Sequence, residues 1–146
     1  AVPAGSLTWF KPAQKTGLYA GGFSTVLDVE GSPWTNSEAA LAGLFPNGAQ
    51  LTFPGSYFGS DLWTVQLTSS NTFQLVNGSP ILSSGSLNPA DGRLKITIID
   101  FMDPSLKSHV TAYGAALQNT KLGGGFFLGA TNSRAIMLTP PSLPPD

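Results

Sequence analysis

The chain has 146 residues, 41% hydrophobic and only 10% charged, with 17 glycines and 12 prolines. That length suits one domain with its own core. The composition excludes a disordered chain, which needs high charge and few aromatics, and a long helical bundle, which needs far more Ala, Glu, Lys and Leu. A net charge of −1 with no run of four Lys or Arg argues against a nucleic-acid or anionic-membrane surface, and the lack of cysteine removes disulfides, thiolate metal sites and cysteine nucleophiles.

Taken in chain order, Ala1-Val2-Pro3-Ala4-Gly5 reads as a boundary where a module was cut from a longer polypeptide. Ser6 to Lys11 is a first strand candidate. Phe23 to Glu30 alternates at period two, with Phe23, Leu27 and Val29 on one face and Ser24, Asp28 and Glu30 on the other. Asn36 or Ser37 can cap a short helix over Ser37–Ala42, stopped at Gly43. Ala49 to Phe53 follows, then Leu62 to Thr68, where Trp63, Val65 and Leu67 form an apolar face. Thr72 to Val76, Leu94 to Ile98, His109 to Gln118, Gly124 to Gly129 and Arg134 to Leu138 complete about nine strands. Turn formers separate them: Asn47-Gly48, Asn71, Asn77-Gly78-Ser79-Pro80, a type I turn at Asn88–Gly92 closed by Gly92 at positive φ, and Asp103-Pro104-Ser105.

No helix recurs between strands, which disfavours a parallel sheet. The expected fold is all-β: a single antiparallel domain, barrel-like or sandwich, over residues 1–139, with 140–146 as a Pro-rich tail or linker. The consecutive short hairpins of the second half favour a barrel-like meander. Its expected core is Trp63, Val65, Leu67, Leu94, Ile96, Ile98, Phe23, Leu27 and Phe126, with Trp9 also inward. Apolar runs of a few residues fall far below the roughly 20 that a membrane-spanning helix needs, so no membrane insertion is expected.

Two stretches carry a resemblance. The first is Gly5-Ser6-Leu7-Thr8-Trp9-Phe10-Lys11-Pro12-Ala13 with Gly17-Leu18-Tyr19-Ala20-Gly21-Gly22-Phe23; the second is Gly114-Ala115-Ala116-Leu117-Gln118 with Gly123-Gly124-Gly125-Phe126-Phe127-Leu128-Gly129-Ala130-Thr131-Asn132-Ser133. Together they resemble the C-terminal β-rich modules of large secreted cell-surface proteins of verrucomicrobial and related bacteria. In those modules a Trp-x-Lys-Pro start and a Tyr-x-x-Gly-Phe segment open the domain, and a Gly-x-x-Leu-Gln strand and a Gly-Phe-Phe-Leu-Gly hairpin close it. The likeness runs from about residue 5 to 139. It departs at Arg134 and Ala135, where a small Gly-Ser pair is usual. It implies an extracellular or cell-surface location and an architecture, not a chemistry.

The residues themselves point away from an enzyme. His109 is the only histidine and no Gly-x-Ser-x-Gly elbow is present, so a catalytic triad has no natural seat and an imidazole metal site is excluded by count. Asp28 with Glu30, and Asp100 with Asp103, lack the dense spacing of a calcium loop, and no carboxylate pair stands out for glycoside hydrolysis. No cofactor is implied. The aromatics carry more. Trp34 in Ser32-Pro33-Trp34-Thr35-Asn36, and Tyr57 and Phe58 in Pro54–Asp61, lie among small polar residues. Such rings can stack on a pyranose, with Asn36 and Asp61 holding hydroxyls, or they can plug a barrel end. The expected function is a non-catalytic structural or adhesive module of a bacterial surface protein, with a carbohydrate-binding module as the alternative. Its partners are then other domains of the same polypeptide, a polysaccharide under the alternative, and a second copy. Self-association is suggested by strands apolar on both faces: Ile96 and Ile98 oppose Ile99 and Phe101, and Phe126 opposes Phe127.

Overall fold

The structure, a computed structural model, describes residues 4–54, 63–78, 82–100, 105, 107–129 and 133–141. It is almost entirely β. Strands β1 (Ala4–Lys11) and β2 (Phe23–Glu30) form a separate two-stranded hairpin. The short helix α1 (Glu38–Ala42) follows. Eight further strands then run in succession: β3 (Ala49–Thr52), β4 (Trp63–Leu67), β5 (Phe73–Asn77), β6 (Leu82–Leu87), β7 (Arg93–Ile99), β8 (His109–Leu117), β9 (Leu122–Leu128) and β10 (Ser133–Thr139). They pair in the order β5-β4-β3-β10-β9-β8-β7-β6, every ladder antiparallel. The two ends of that order, β5 and β6, meet through one bridge, Thr72 to Ser86, and through the Leu87 amide donating to the Asn71 carbonyl at 2.9 Å. The result is a nearly closed up-and-down barrel, which resolves the choice between barrel and sandwich.

Period-two alternation fills the interior. Leu51, Val65, Leu94, Ile96, Ile98, Ile136 and Leu138 point inward and are at most 2% exposed. Burying each such aliphatic chain contributes roughly 1.5–3 kcal/mol. The end where β4 begins is filled by Phe53, Trp63 and Phe127, with ring centroids 5.4 Å apart for Phe53–Trp63 and 6.3 Å for Phe53–Phe127. At the opposite end Leu44 and Phe45, delivered by α1, seal the core, with Trp34 and Leu41 packed against it. Helix α1 starts where Ser37 accepts a hydrogen bond from the Ala40 amide at 3.2 Å and stops at Gly43, as the sequence predicts.

Between β8 and β9 the backbones approach so closely that Gly114 and Gly125, which face each other in register, leave no room for a Cβ on either. In the β6–β7 turn Gly92 has φ +75°, the conformation expected of it.

Several expectations need correction. The described residues hold ten strands against the nine or so expected; the additional one is β6, whose Ser/Gly composition is that of a connector. Phe23 and Leu27 belong to the hairpin and lie outside the core. Trp9 is 48% exposed. Phe126 is 52% exposed, and its neighbour Phe127 takes the inward place. Leu67 is half-buried against the core rather than within it. Asp103, Pro104 and Phe101, and residues 142–146 of the tail, lie outside the described residues.

Candidate functional site

The structure places the expected sugar-binding residues unevenly. Trp34 sits at the α1 end of the barrel, where its indole N–H donates to the Pro89 carbonyl at 2.8 Å and its ring lies over the face of Gly92. It is half-buried and braces the β6–β7 turn. The segment around it is stitched down further. The Gln118 side chain accepts from the Thr35 amide at 2.7 Å and donates to the Thr35 carbonyl at 2.9 Å, and Ser32 Oγ accepts from the Asn119 amide at 3.1 Å. Asn36 is exposed beside it. Tyr57, Phe58 and Asp61 lie outside the described residues. Their described flanks, Pro54 and Trp63, belong to the other end of the barrel from Trp34 and Asn36.

Asn36 does border a cavity of about 490 Å³ between α1 and the β4–β5 turn. Its floor is apolar, from Leu41, Phe45, Leu67 and Pro89, and its rim is polar, from Asn36, Glu38, Thr68 and Ser69. The turn is held by hydroxyls: Thr68 Oγ1 lies 2.9 Å from Ser70 Oγ and 2.8 Å from Thr72 Oγ1. Asn71 adopts the left-handed conformation at φ 59°, which asparagine tolerates best among residues with a Cβ. Glu38, Thr68 and Ser69 were not legible as site residues. Only the fold brings the helix cap beside a turn some thirty positions later. Mixed apolar and polar lining of this kind suits a small polyhydroxylated ligand.

A second surface is larger. In the hairpin the facing pairs Leu7–Leu27, Gly5–Val29, Trp9–Thr25 and Lys11–Phe23 share one side. Leu7 is 53% exposed, and Leu27 and Val29 are also open to solvent. Trp9 packs edge-on against Phe23 at 5.1 Å, and Phe23 against Tyr19 at 5.6 Å. Among the described residues the hairpin is hydrogen-bonded to the barrel near its ends: by Ser32 at its base, and at its tip by Tyr19, whose phenolic oxygen lies 2.8 Å from Ser133 Oγ and accepts from the Ser133 amide at 3.0 Å. Those two bonds hold the Tyr19 phenol below its ordinary pKa, the Ser133 hydroxyl contributing most. On the barrel's outer wall Tyr113 and Phe126 stand side by side across β8 and β9, with Leu128 and Met137 nearby, all exposed.

The described titratable groups do not converge. His109 is exposed at the start of β8, Asp91 pairs with Arg93 at 2.7 Å on the surface, and Asp28 and Glu30 lie on the open hairpin. Among the described residues no group of three or more His, Cys, Asp or Glu is placed to hold a metal ion, and no helix is long and apolar enough to cross a membrane. Comparison with protein-family models, with curated proteins and with solved structures finds no match to this chain.

Proposed function

We propose that the chain is a non-catalytic, extracellular structural or adhesive module of a larger bacterial surface protein. The observation that carries this reading is the hairpin, an amphipathic two-stranded sheet with its apolar side open to solvent, beside a barrel whose interior is filled by its own side chains. Apolar surface of that extent on a folded domain marks a contact face. The low charge and the resemblance to bacterial surface modules support the location. An antibody against the module should label intact cells that make the parent polypeptide; labelling only after permeabilisation overturns the location. Beads coated with the module should be retained on envelope material from those cells, and Leu7→Glu should abolish retention. Equal retention of both forms overturns the adhesive role.

A carbohydrate-binding role is the second reading, favoured by the cavity that Asn36 and Glu38 border. Affinity gels of cellulose, xylan, mannan and chitin test it. Binding of about 10 µM to 1 mM that is lost in Asn36→Ala supports it, and no retardation on any gel removes it.

A further inference from the structure

We infer that the occupant of the open hairpin face is a second copy of this chain, in a two-fold pair where each hairpin covers the outer wall of the other barrel. The inference rests on the contact-surface reading above and names its partner.

Three observations lead there. Both ends of the hairpin are already bonded to its own barrel, through Tyr19–Ser133 and Ser32–Asn119, yet Leu7, Trp9, Leu27 and Val29 remain 38–53% exposed. The pose taken on its own barrel therefore leaves both apolar faces wet. The two faces also match in character. The wall carries projecting rings, Tyr113 at 59% and Phe126 at 52% exposure, beside Gly124, which is open above its Cα. The hairpin offers a shallow hollow of about 450 Å³ between Gly5, Leu7, Val29 and Gly31 that has room for such a ring. Finally, the areas suffice. With large side chains at about 200 Å² each, covering the exposed rings and the aliphatic Leu7, Leu27, Val29, Leu128 and Met137 completely in both copies removes at most on the order of 1,400 Å² from water, within the roughly 1,200–2,000 Å² of stable interfaces. A hairpin meeting only a hairpin would bury about half of that and fall short. One contact made twice about a two-fold axis closes, so the product is a dimer and not a fibre.

Light scattering and sedimentation of the 146-residue protein, from micromolar to millimolar concentration, should show twice the 15.2 kDa chain mass. Leu27→Glu on the hairpin and Phe126→Glu on the wall should each weaken association by at least about tenfold. Phe10→Ser, on the other side of the hairpin, should leave it unchanged. Mixing the Leu27→Glu and Phe126→Glu proteins should restore part of the association, because the intact hairpin of one then meets the intact wall of the other. All three positions are exposed, and Tyr113→Lys gives a second wall variant if one fails to fold. A strict monomer overturns the inference, as does a dimer that Phe126→Glu and Tyr113→Lys leave intact. A monomer that still adheres to envelope material refutes the dimer alone, and a dimer that does not adhere refutes the adhesive role alone.

Discussion

In the barrel, Leu94, Ile96 and Ile98 alternate with Arg93, Lys95 and Thr97 and lose almost all contact with water; in the hairpin, Leu7 and Trp9 alternate with Ser6 and Thr8 and keep about half of theirs. The local pattern is the same. What differs is the number of neighbours. Six of the eight barrel strands have a ladder on both sides, β5 and β6 meet at the seam through one bridge, and all face other strands across a shared interior, whereas the hairpin has one ladder and no second layer. Alternation thus reports that a strand has two unlike faces, and only the surrounding fold decides whether the apolar one is covered.

The largest test of that contrast is a pair of truncations. Ile96→Ala empties a space in the filled interior and should cost about 2–5 kcal/mol. Leu7→Ala on the hairpin should change the stability of the isolated chain by less than about 0.5 kcal/mol. Urea unfolding of both variants measures the difference, and similar costs would mean that the hairpin is packed after all. Trp34→Ala comes next. It removes a half-buried ring and the bond to Pro89, for an expected loss of about 2 kcal/mol; an unchanged midpoint would free Trp34 from its bracing role. Ser37→Ala should cost about 1 kcal/mol by uncapping α1, seen as a small fall in midpoint at constant slope.

The smallest effect lies at the hairpin's tip. Tyr19 titrates below its ordinary value of 10.0 because Ser133 stabilises the phenolate. A pKa lowered by folding adds stability that is complete above the unfolded value and is lost as pH falls through the folded one. The contribution therefore belongs to alkaline solution and is absent at neutral pH, where the pair acts only as neutral hydrogen bonds. Absorbance titration of tyrosinate should show one group with a lowered midpoint that returns upward in Ser133→Ala.

Most of the barrel was legible because its strands alternate cleanly and its turns use residues with a mechanism, as at Asn88–Gly92 and Ser37. Strand β6 was not. Leu82-Ser83-Ser84-Gly85-Ser86-Leu87 has the composition of a loop, and its Gly85 is a core position for a reason only the fold reveals: Phe73 Cβ lies 2.9 Å from where a Cβ on Gly85 would stand. The ring from one side of the seam occupies the space that the other side leaves. Phe126 was misplaced because three glycines precede it, and glycines carry no phase. Phe23 and Leu27 were misplaced because a face was taken for a core. Of the candidate site, the loop position of Asn36 was visible; the cavity it borders needed the helix and a distant turn brought together. The bracing role of Trp34 depends on Pro89 and Gly92, residues no local pattern links to it.

The pairing of β10 with β3 bears on how the protein is made. Seven of the eight contacts around the barrel join strands adjacent in sequence and can form as each hairpin appears; Leu51 with Leu138 is the exception, since it joins the first barrel strand to the last. Loop closure over that distance costs more entropy than any hairpin does, and such non-local pairing slows folding. On the ribosome, which adds about 5–20 residues per second, β3 has no β10 to bond until all the intervening strands have been made. The barrel closes only after synthesis passes Thr139, and until then the earlier hairpins have no closed interior to pack into.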